Sequence, residues 1–306
     1  MSTVYFRINA RGADAPARAP LLERLLARAE PAVPIVDWRA DALRQIAPES
    51  GEAPAIAALG ASVMGVHAAW VAVATPVHLV AGMQAVSLAA DGILELERAQ
   101  AGELARDFNR LFADADVRLV AARDGVLLWL FDVALRVDCT PPDEMLGEDI
   151  GPHLPSGPDG ARVRGLMSEV EMWLFEHPVN AERRARSHPA VSGLWLWGGG
   201  PSIASGTSIT GWAAGDAALC AFLARESSYT GATRSGVVAM QGPPGTPDWT
   251  QAEERWLRPV LADLQAHRLE RIEISSGRRR MQVNARGLRR FWRRPRPWWE
   301  VLRVER

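Results

Sequence analysis

Apolar residues recur along this chain with two different spacings, and segments of the two kinds are interleaved. Leucines at 21, 22, 25 and 26, separated by Glu23, Arg24 and Arg28, predict an amphipathic helix over 21–29. Pro31 and Pro34 end it. A short helix is expected over 41–46, with Asp41 as its N-cap. Leu104, Phe108, Leu111 and Phe112 share one face of a predicted helix over 100–112. Val163, Leu166, Met167, Val170, Trp173 and Leu174 do the same over 163–175. Further helices are expected over 216–224 and 249–266, the latter with Glu253 and Glu254 in a first turn that suits the helix dipole.

Between these lie short apolar runs that read as strands: 70–73 and 77–80 around a Thr75-Pro76 break, then 85–88, 92–96, 194–197 and 237–240. Residues 117–121 and 126–130 form a predicted hairpin around Arg123-Asp124-Gly125, and 133–137 is expected to extend that sheet. A closing hairpin is expected over 269–274 and 280–283, around Ser276-Gly277. Residues 140–160 form a loop by composition, rich in proline and glycine, and 241–247 form another. Strands alternating with helices place the chain in the α/β class, as a mixed sheet with flanking helices. The expected organisation is a single α/β unit over 1–306, with a cap-like accessory lobe at 60–140 and a second lobe at 141–306.

Composition removes whole classes of mechanism. Of 306 residues, 48% are hydrophobic and 23% charged, which is enough apolar material to build a core. Thirty-five basic and 36 acidic residues leave a net charge of −1, so no global field recruits nucleic acid or membrane. All 35 basic residues are arginine. The lack of lysine excludes a Schiff base, a pyridoxal-phosphate anchor and a P-loop or kinase-type lysine. Cys139 and Cys220 are isolated in apolar surroundings and match no zinc spacing, so reduced, inert thiols are expected. No apolar run approaches the roughly 18 residues of a membrane helix, and residues 1–11 lack a signal-peptide core. The reading is a soluble, cytoplasmic protein.

Residues 176–200, EHPVNAERRARSHPAVSGLWLWGGG, hold the densest candidate chemistry. A helix end, a His177-Pro178-Val179-Asn180 turn and three arginines precede a strand that runs into Gly198-Gly199-Gly200. Glycines at a strand end let backbone N–H groups approach an anion. Arginine grips phosphate or carboxylate bidentately. The candidate ligand-binding residues are therefore His153, His177, Asn180, Arg183, Trp197, Gly198, Gly199 and Gly200, for a small anion such as phosphate. The competing reading is a packed turn with solvated arginines. In either reading residues 194–197 are expected to be a central strand, with Gly198-Gly199-Gly200 leaving its C-terminal end, the end that ligands of open α/β sheets favour. His78 is expected to be a hydrogen-bonded core residue, and His267 and Asp263 a solvated pair.

From Arg278 to Arg306 the chain carries eleven arginines against two glutamates, interleaved with Trp292, Trp298 and Trp299. Three readings stand for this segment: docking on the more acidic body, binding an acidic protein partner, and binding nucleic acid.

The HPVN-x-x-R and WLWGGG segments together resemble the archaeal-type cofactor-independent phosphoglycerate mutases of the alkaline-phosphatase superfamily. The resemblance continues upstream through Thr140-Pro141-Pro142, residues 147–150 and Leu154-Pro155-Ser156-Gly157-Pro158, and more weakly through Ala74-Thr75-Pro76-Val77-His78-Leu79. It spans roughly residues 70–200. A closer resemblance is to the RpfE-type bacterial regulatory proteins, which share these motifs and an ending like Arg290-Phe291-Trp292-Arg293-Arg294-Pro295-Arg296-Pro297. The mutases need two metal ions on aspartates and histidines, and a serine nucleophile. Here the opening VYFRINARGADAP carries only Asp14, 241–248 carries only Asp248, and the Thr-x-Asp-His position reads Ile272-Glu273-Ile274-Ser275-Ser276-Gly277-Arg278. The resemblance thus implies a degenerate mutase-like protein with no catalytic residues, metal or cofactor, serving a regulatory role with a protein partner or a phosphorylated metabolite. The alternatives are a rewired superfamily enzyme on a small phosphorylated substrate and, less favoured, a nucleic-acid-binding regulator.

Overall fold

A computed structural model describes residues 2–8, 17–46, 55–203, 211–231, 234–240 and 249–302. The chain opens with β1 (Thr3–Ile8), α1 (Pro20–Arg28), β2 (Val33–Pro34) and α2 (Trp38–Ile46). It continues through α3 (Ile56–Met64), β3 (Trp70–Ala81), β4 (Val86–Ile93), α4 (Arg98–Leu111), β5 (Val117–Ala121) and β6 (Leu127–Phe131). Next come α5 (Gly160–Phe175), α6 (Pro178–Ala185) and β7 (Gly193–Pro201). The chain closes with β8 (Gly211–Ala214), α7 (Ala217–Phe222), β9 (Ala224–Arg225), β10 (Ser235–Met240), α8 (Trp249–Ala252), α9 (Arg258–Gln265), β11 (Arg271–Ser276), β12 (Arg279–Asn284) and α10 (Trp298–Val301). A π-type turn at Glu253–Leu257 joins α8 to α9. The fold is mixed α/β, as the interleaved periods require.

The chain divides into two compact units, and not where the sequence puts its lobes. Residues 54–208 form one unit; residues 1–53 and 209–306 together form the other. The expected lobe boundary near 140 fails because β7 adds to the same sheet as β3, and α5 and α6 lead into β7. The two chain ends join because β1 sits between β10 and β11, parallel to both.

In the unit built from the chain ends, the sheet order is β2-β12-β11-β1-β10-β8-β9. The pairs β1–β10, β1–β11, β10–β8 and β8–β9 are parallel; β12 runs antiparallel to β11 and β2. Successive side chains on a strand face opposite sides. Val4, Phe6 and Ile8, with Ile272, Ile274 and Val238, pack into one apolar cluster with Leu22, Leu25, Leu257, Val260 and Leu264 of the helices. Tyr5, Arg7, Glu273 and Ser275 alternate with them and are also buried, and α2 lies along β1.

The Arg-rich ending docks on this unit through its tryptophans more than its charge. Trp298 is fully buried and donates Nε1–H to Ala17 O at 2.9 Å. Arg290 and Arg293 donate to Ala29 O at 3.3 and 3.0 Å, by the C-terminal end of α1, where helix carbonyls lack partners. Phe291 and Trp292 stay exposed.

In the unit of residues 54–208, all strand pairs are antiparallel. The 12-residue β3 pairs with β6 over Trp70–Ala74, with β4 over Val77–Ala81 and with β7 over Trp70–Val77. Its core stacks Leu104 and Phe108 of α4 with Trp129 and Phe131 of β6 and Val170 and Leu174 of α5. The predicted strand at 133–137 is instead irregular chain ending in a single bridge between Asp138 and Ser156. The predicted turn at Pro178 opens a helix, and α3 escapes the periodicity reading because its residues are apolar on nearly every side.

Candidate functional site

The HPVN-x-x-R segment folds as an interlocked set of hydrogen bonds. His177 is the N-cap of α6, and its Nδ1 accepts from Val179 N at 3.2 Å. Pro178 fits the first helical position, where an N–H would be unpaired. Asn180 Nδ2 donates to Leu174 O at 2.7 Å and Val191 O at 2.9 Å, while Oδ1 accepts from Val191 N at 2.7 Å. One amide thus ties the end of α5, the start of α6 and the approach to β7. Arg183 is likewise buried. It donates to Pro189 O at 2.8 Å, Glu95 O at 3.2 Å and Gln100 Oε1 at 3.3 Å. Burial lowers the pKa of His177, with Asp107, 3.5 Å from Nε2, opposing the shift. Burial also lowers that of Arg183, against Glu97.

The glycine run is a packing device, not a strand-end anion cradle. Gly198, Gly199 and Gly200 lie within β7, whose partner among the described residues is β3, so 194–197 is not the central strand expected. A Cβ on Gly199 would come 2.1 Å from the Trp70 ring, one on Gly198 2.5 Å from Ile56, and one on Gly200 2.8 Å from Ala55. Gly198 also needs its φ of +61°. Trp197 is buried and donates Nε1–H to Thr75 Oγ1 at 2.7 Å. His153 stands apart, in the 3₁₀ turn at Gly151–His153, beside Glu148 at 3.3 Å. His177, Asn180 and Arg183 are therefore brought together, but their polar groups are turned inward. The expected phosphate grip gives way to a structural one.

His78 Nδ1 lies 2.9 Å from Ala190 O, the hydrogen-bonded role anticipated. Asp263 is not a solvated partner of His267. It is buried, accepts from Tyr229 Oη at 2.8 Å and is bridged by Arg268 at 2.5 Å. Both cysteines are free thiols. Burial drives Cys139 up to about 12 and also raises Cys220, so neither is an activated thiolate.

A polar cluster that periodicity does not reveal lines the other face of the parallel sheet. Glu273 is fully buried on β11. Arg280 on β12 contacts Glu273 Oε2 and Asp41 Oδ2, each at 3.0 Å. Asp41 also meets Arg44 at 3.2 Å and accepts from Tyr5 Oη at 3.3 Å. Burial raises Glu273 to about 7, against the pull of Arg280 and Arg271. Burial likewise raises Tyr5 well above its ordinary value. At the C-terminal edge of the same sheet, Arg7 donates to Gly277 O at 2.8 Å. Beyond β8, Arg39 donates twice to Asp216 Oδ2, at 2.9 and 2.7 Å, while Asp216 Oδ1 caps α7 through Leu219 N at 2.8 Å. Arg39 also lies 4.3 Å and Arg7 5.4 Å from the Trp38 ring centroid, a cation–π arrangement. The available signal in the sequence was a charged residue at alternate positions of otherwise apolar strands, in Tyr5-Phe6-Arg7 and Ile272-Glu273-Ile274.

This donor set does not fit the two-metal centre that the resemblance brings to mind. Such centres converge carboxylates and imidazoles on ions about 3.5–4 Å apart. Among the described residues no group of three or more His, Cys, Asp or Glu converges so. Asp41, Asp216 and Glu273 are each held by a guanidinium that a cation would have to displace. Asp14 and Asp248, and the loop expected at 241–247, lie outside the described residues.

Comparison with known proteins gives partial matches. No protein-family model matches the chain. The 2,3-bisphosphoglycerate-independent phosphoglycerate mutase of Methanothrix thermoacetophila is 39% identical over 64 residues, 21% of this chain and 16% of the relative. That of Methanosarcina acetivorans is 35% identical over 69 residues, 22% and 17%. A probable enzyme of that name from Geobacter sulfurreducens is 34% identical over 67 residues, 21% and 17%. The matches thus span about one sixth of the length of these relatives. Among solved structures, cofactor-independent phosphoglycerate mutase from Thermoplasma acidophilum aligns over 92% of this chain and 89% of its own, at 14% identity and a TM-score of 0.38. A Pyrococcus horikoshii protein aligns over 92% and 86%, at 11% identity and a TM-score of 0.44. Over about one fifth of its length, this chain is homologous to the cofactor-independent phosphoglycerate mutases.

Proposed function

We propose that this chain is a phosphoglycerate-mutase-like protein that acts without the mutases' two-metal chemistry, as a cytoplasmic regulatory protein of the RpfE type that binds a protein partner. The observation that carries this reading is the Arg280 bridge between Glu273 and Asp41. A buried carboxyl group already bonded to a guanidinium is a poor ligand for a divalent ion, because the ion would be set against the part-buried Arg280 charge. The Arg39–Asp216 pair repeats the pattern at the end of β8. Retention of the HPVN and glycine-rich motifs needs no catalytic explanation, since Asn180, Arg183 and Gly199 hold the fold together. Exposed Met172 and Phe175 on α5 supply apolar surface of the sort protein partners cover.

Metal content is the test. The full chain is loaded with Mn²⁺ or Zn²⁺, freed of excess by gel filtration and analysed by mass spectrometry. Well below one ion per chain is expected. About two ions per chain would overturn the reading.

A further inference from the structure

On the unit formed by the two chain ends, the C-terminal arm and β12 enclose a cleft of about 560 Å³. Four arginines line it: Arg279 from β12, and Arg293, Arg294 and Arg296 from the arm. Strand alternation separates their work from the buried cluster. Arg280 faces Glu273 and Asp41, while Arg279 and Met281 face the other way, into the cleft. Arg293 is partly engaged, through Ala29 O. The side chains of Arg279, Arg294 and Arg296 make no hydrogen bond or ion pair among the described residues. Among the described residues Glu300 is the one acidic side chain of the lining, which leaves an excess of three positive charges over these five groups. Leu26, Met281 and Val301 give it an apolar wall.

We propose that this cleft binds a small organic phosphate: a compact, multiply charged phosphate group joined to an apolar or aromatic moiety, as in a nucleoside di- or triphosphate. Guanidinium groups pair bidentately with phosphate oxygens. An excess of three charges in so small a space calls for several negative charges on adjacent groups, which a phosphate chain supplies. The volume falls in the range of about 300–1,000 Å³ typical of small-molecule sites and is too small for a folded partner. The apolar wall on Leu26, Met281 and Val301 takes the uncharged part of the ligand. Pro295 and Pro297 flank Arg296 and fix φ on either side of it, so the arm presents its charges with little conformational freedom to lose. The site is independent of the sheet face that bears on the mutase resemblance.

The test is calorimetric titration of the full chain with ATP in the presence of EDTA, alongside pyrophosphate. Saturable one-to-one binding of ATP, tighter than that of pyrophosphate, is expected. An R294A/R296A double variant should bind ATP at least about tenfold more weakly. An R106A/R110A variant removes the same charge from exposed positions on α4 in the other unit. It should bind as the parent does. Circular dichroism melting of each variant checks that it is folded. Failure of ATP to saturate the parent would overturn the proposal. So would equal affinity for pyrophosphate, equal weakening in both variants, or binding of a 20-nucleotide single strand without binding of ATP.

Discussion

Arg280 donates Nη1 to Glu273 across the β11–β12 hairpin at 3.0 Å, and the carboxylate it holds has no exposed surface. Burial raises Glu273 from 4.5 to about 7, with Arg280 and Arg271 opposing the shift and Asp41 adding to it. The folded protein then binds a proton at Glu273 that the unfolded chain has released, across the window from 4.5 to about 7. Stability from this group is complete below the window and falls as pH rises through it, by up to about 3 kcal/mol. Denaturant titrations at pH 5, 6, 7 and 8 should show this slope, and E273Q should flatten it. Identical pH slopes in parent and variant would assign the titration elsewhere.

Asn180 is expected to act on stability. Its side chain makes three hydrogen bonds to backbone groups at Leu174 and Val191, all buried. N180A removes them and leaves those groups unpaired, at a cost of about 2–4 kcal/mol. The midpoint of urea unfolding should fall with no change in slope. An unaltered midpoint would return Asn180 to the list of ligand contacts.

Two glycines should respond in opposite directions. G199A drives a methyl group into the Trp70 ring, 2.1 Å away, and should cost about 1–3 kcal/mol or more. Gly165 lies inside α5 with nothing within 4 Å of its Cβ position. G165A should stabilise the protein by about 0.5–1 kcal/mol, the difference in helix propensity. Thermal melting of both variants checks the pair.

Arg39 and Arg258 separate buried from surface charge. R39A leaves Asp216 buried and unpaired and should cost about 3–5 kcal/mol. R258A breaks an exposed i,i+4 pair with Glu254 and should leave the melting curve unchanged. Equal losses in both would show that the Arg39–Asp216 pair is solvated.

Local pattern made some of this protein legible and topology hid the rest. The helices α1, α4 and α5 were readable because their leucines and aromatics fall on one face that meets a core. The hairpin of β5 and β6 was readable from its turn residues. The strand β1 was not, since Tyr5 and Arg7 alternate with Val4 and Phe6 while both faces are buried. Pro178 read as a turn, although a proline after a histidine cap is also how α6 begins. Gly199 announced that something comes close, but its partner Trp70 lies far back in the chain. The same distance hid the charged cluster. Tyr5, Asp41, Glu273 and Arg280 meet only because β1 is inserted beside β11.

Turnover of 3-phosphoglycerate to 2-phosphoglycerate by the full chain, with saturating Mn²⁺, tests the central claim most directly. If arginines hold Asp41, Asp216 and Glu273, no conversion above the uncatalysed background should be seen at micromolar protein. A rate in the ordinary enzyme range of about 1–10³ s⁻¹ would contradict the account.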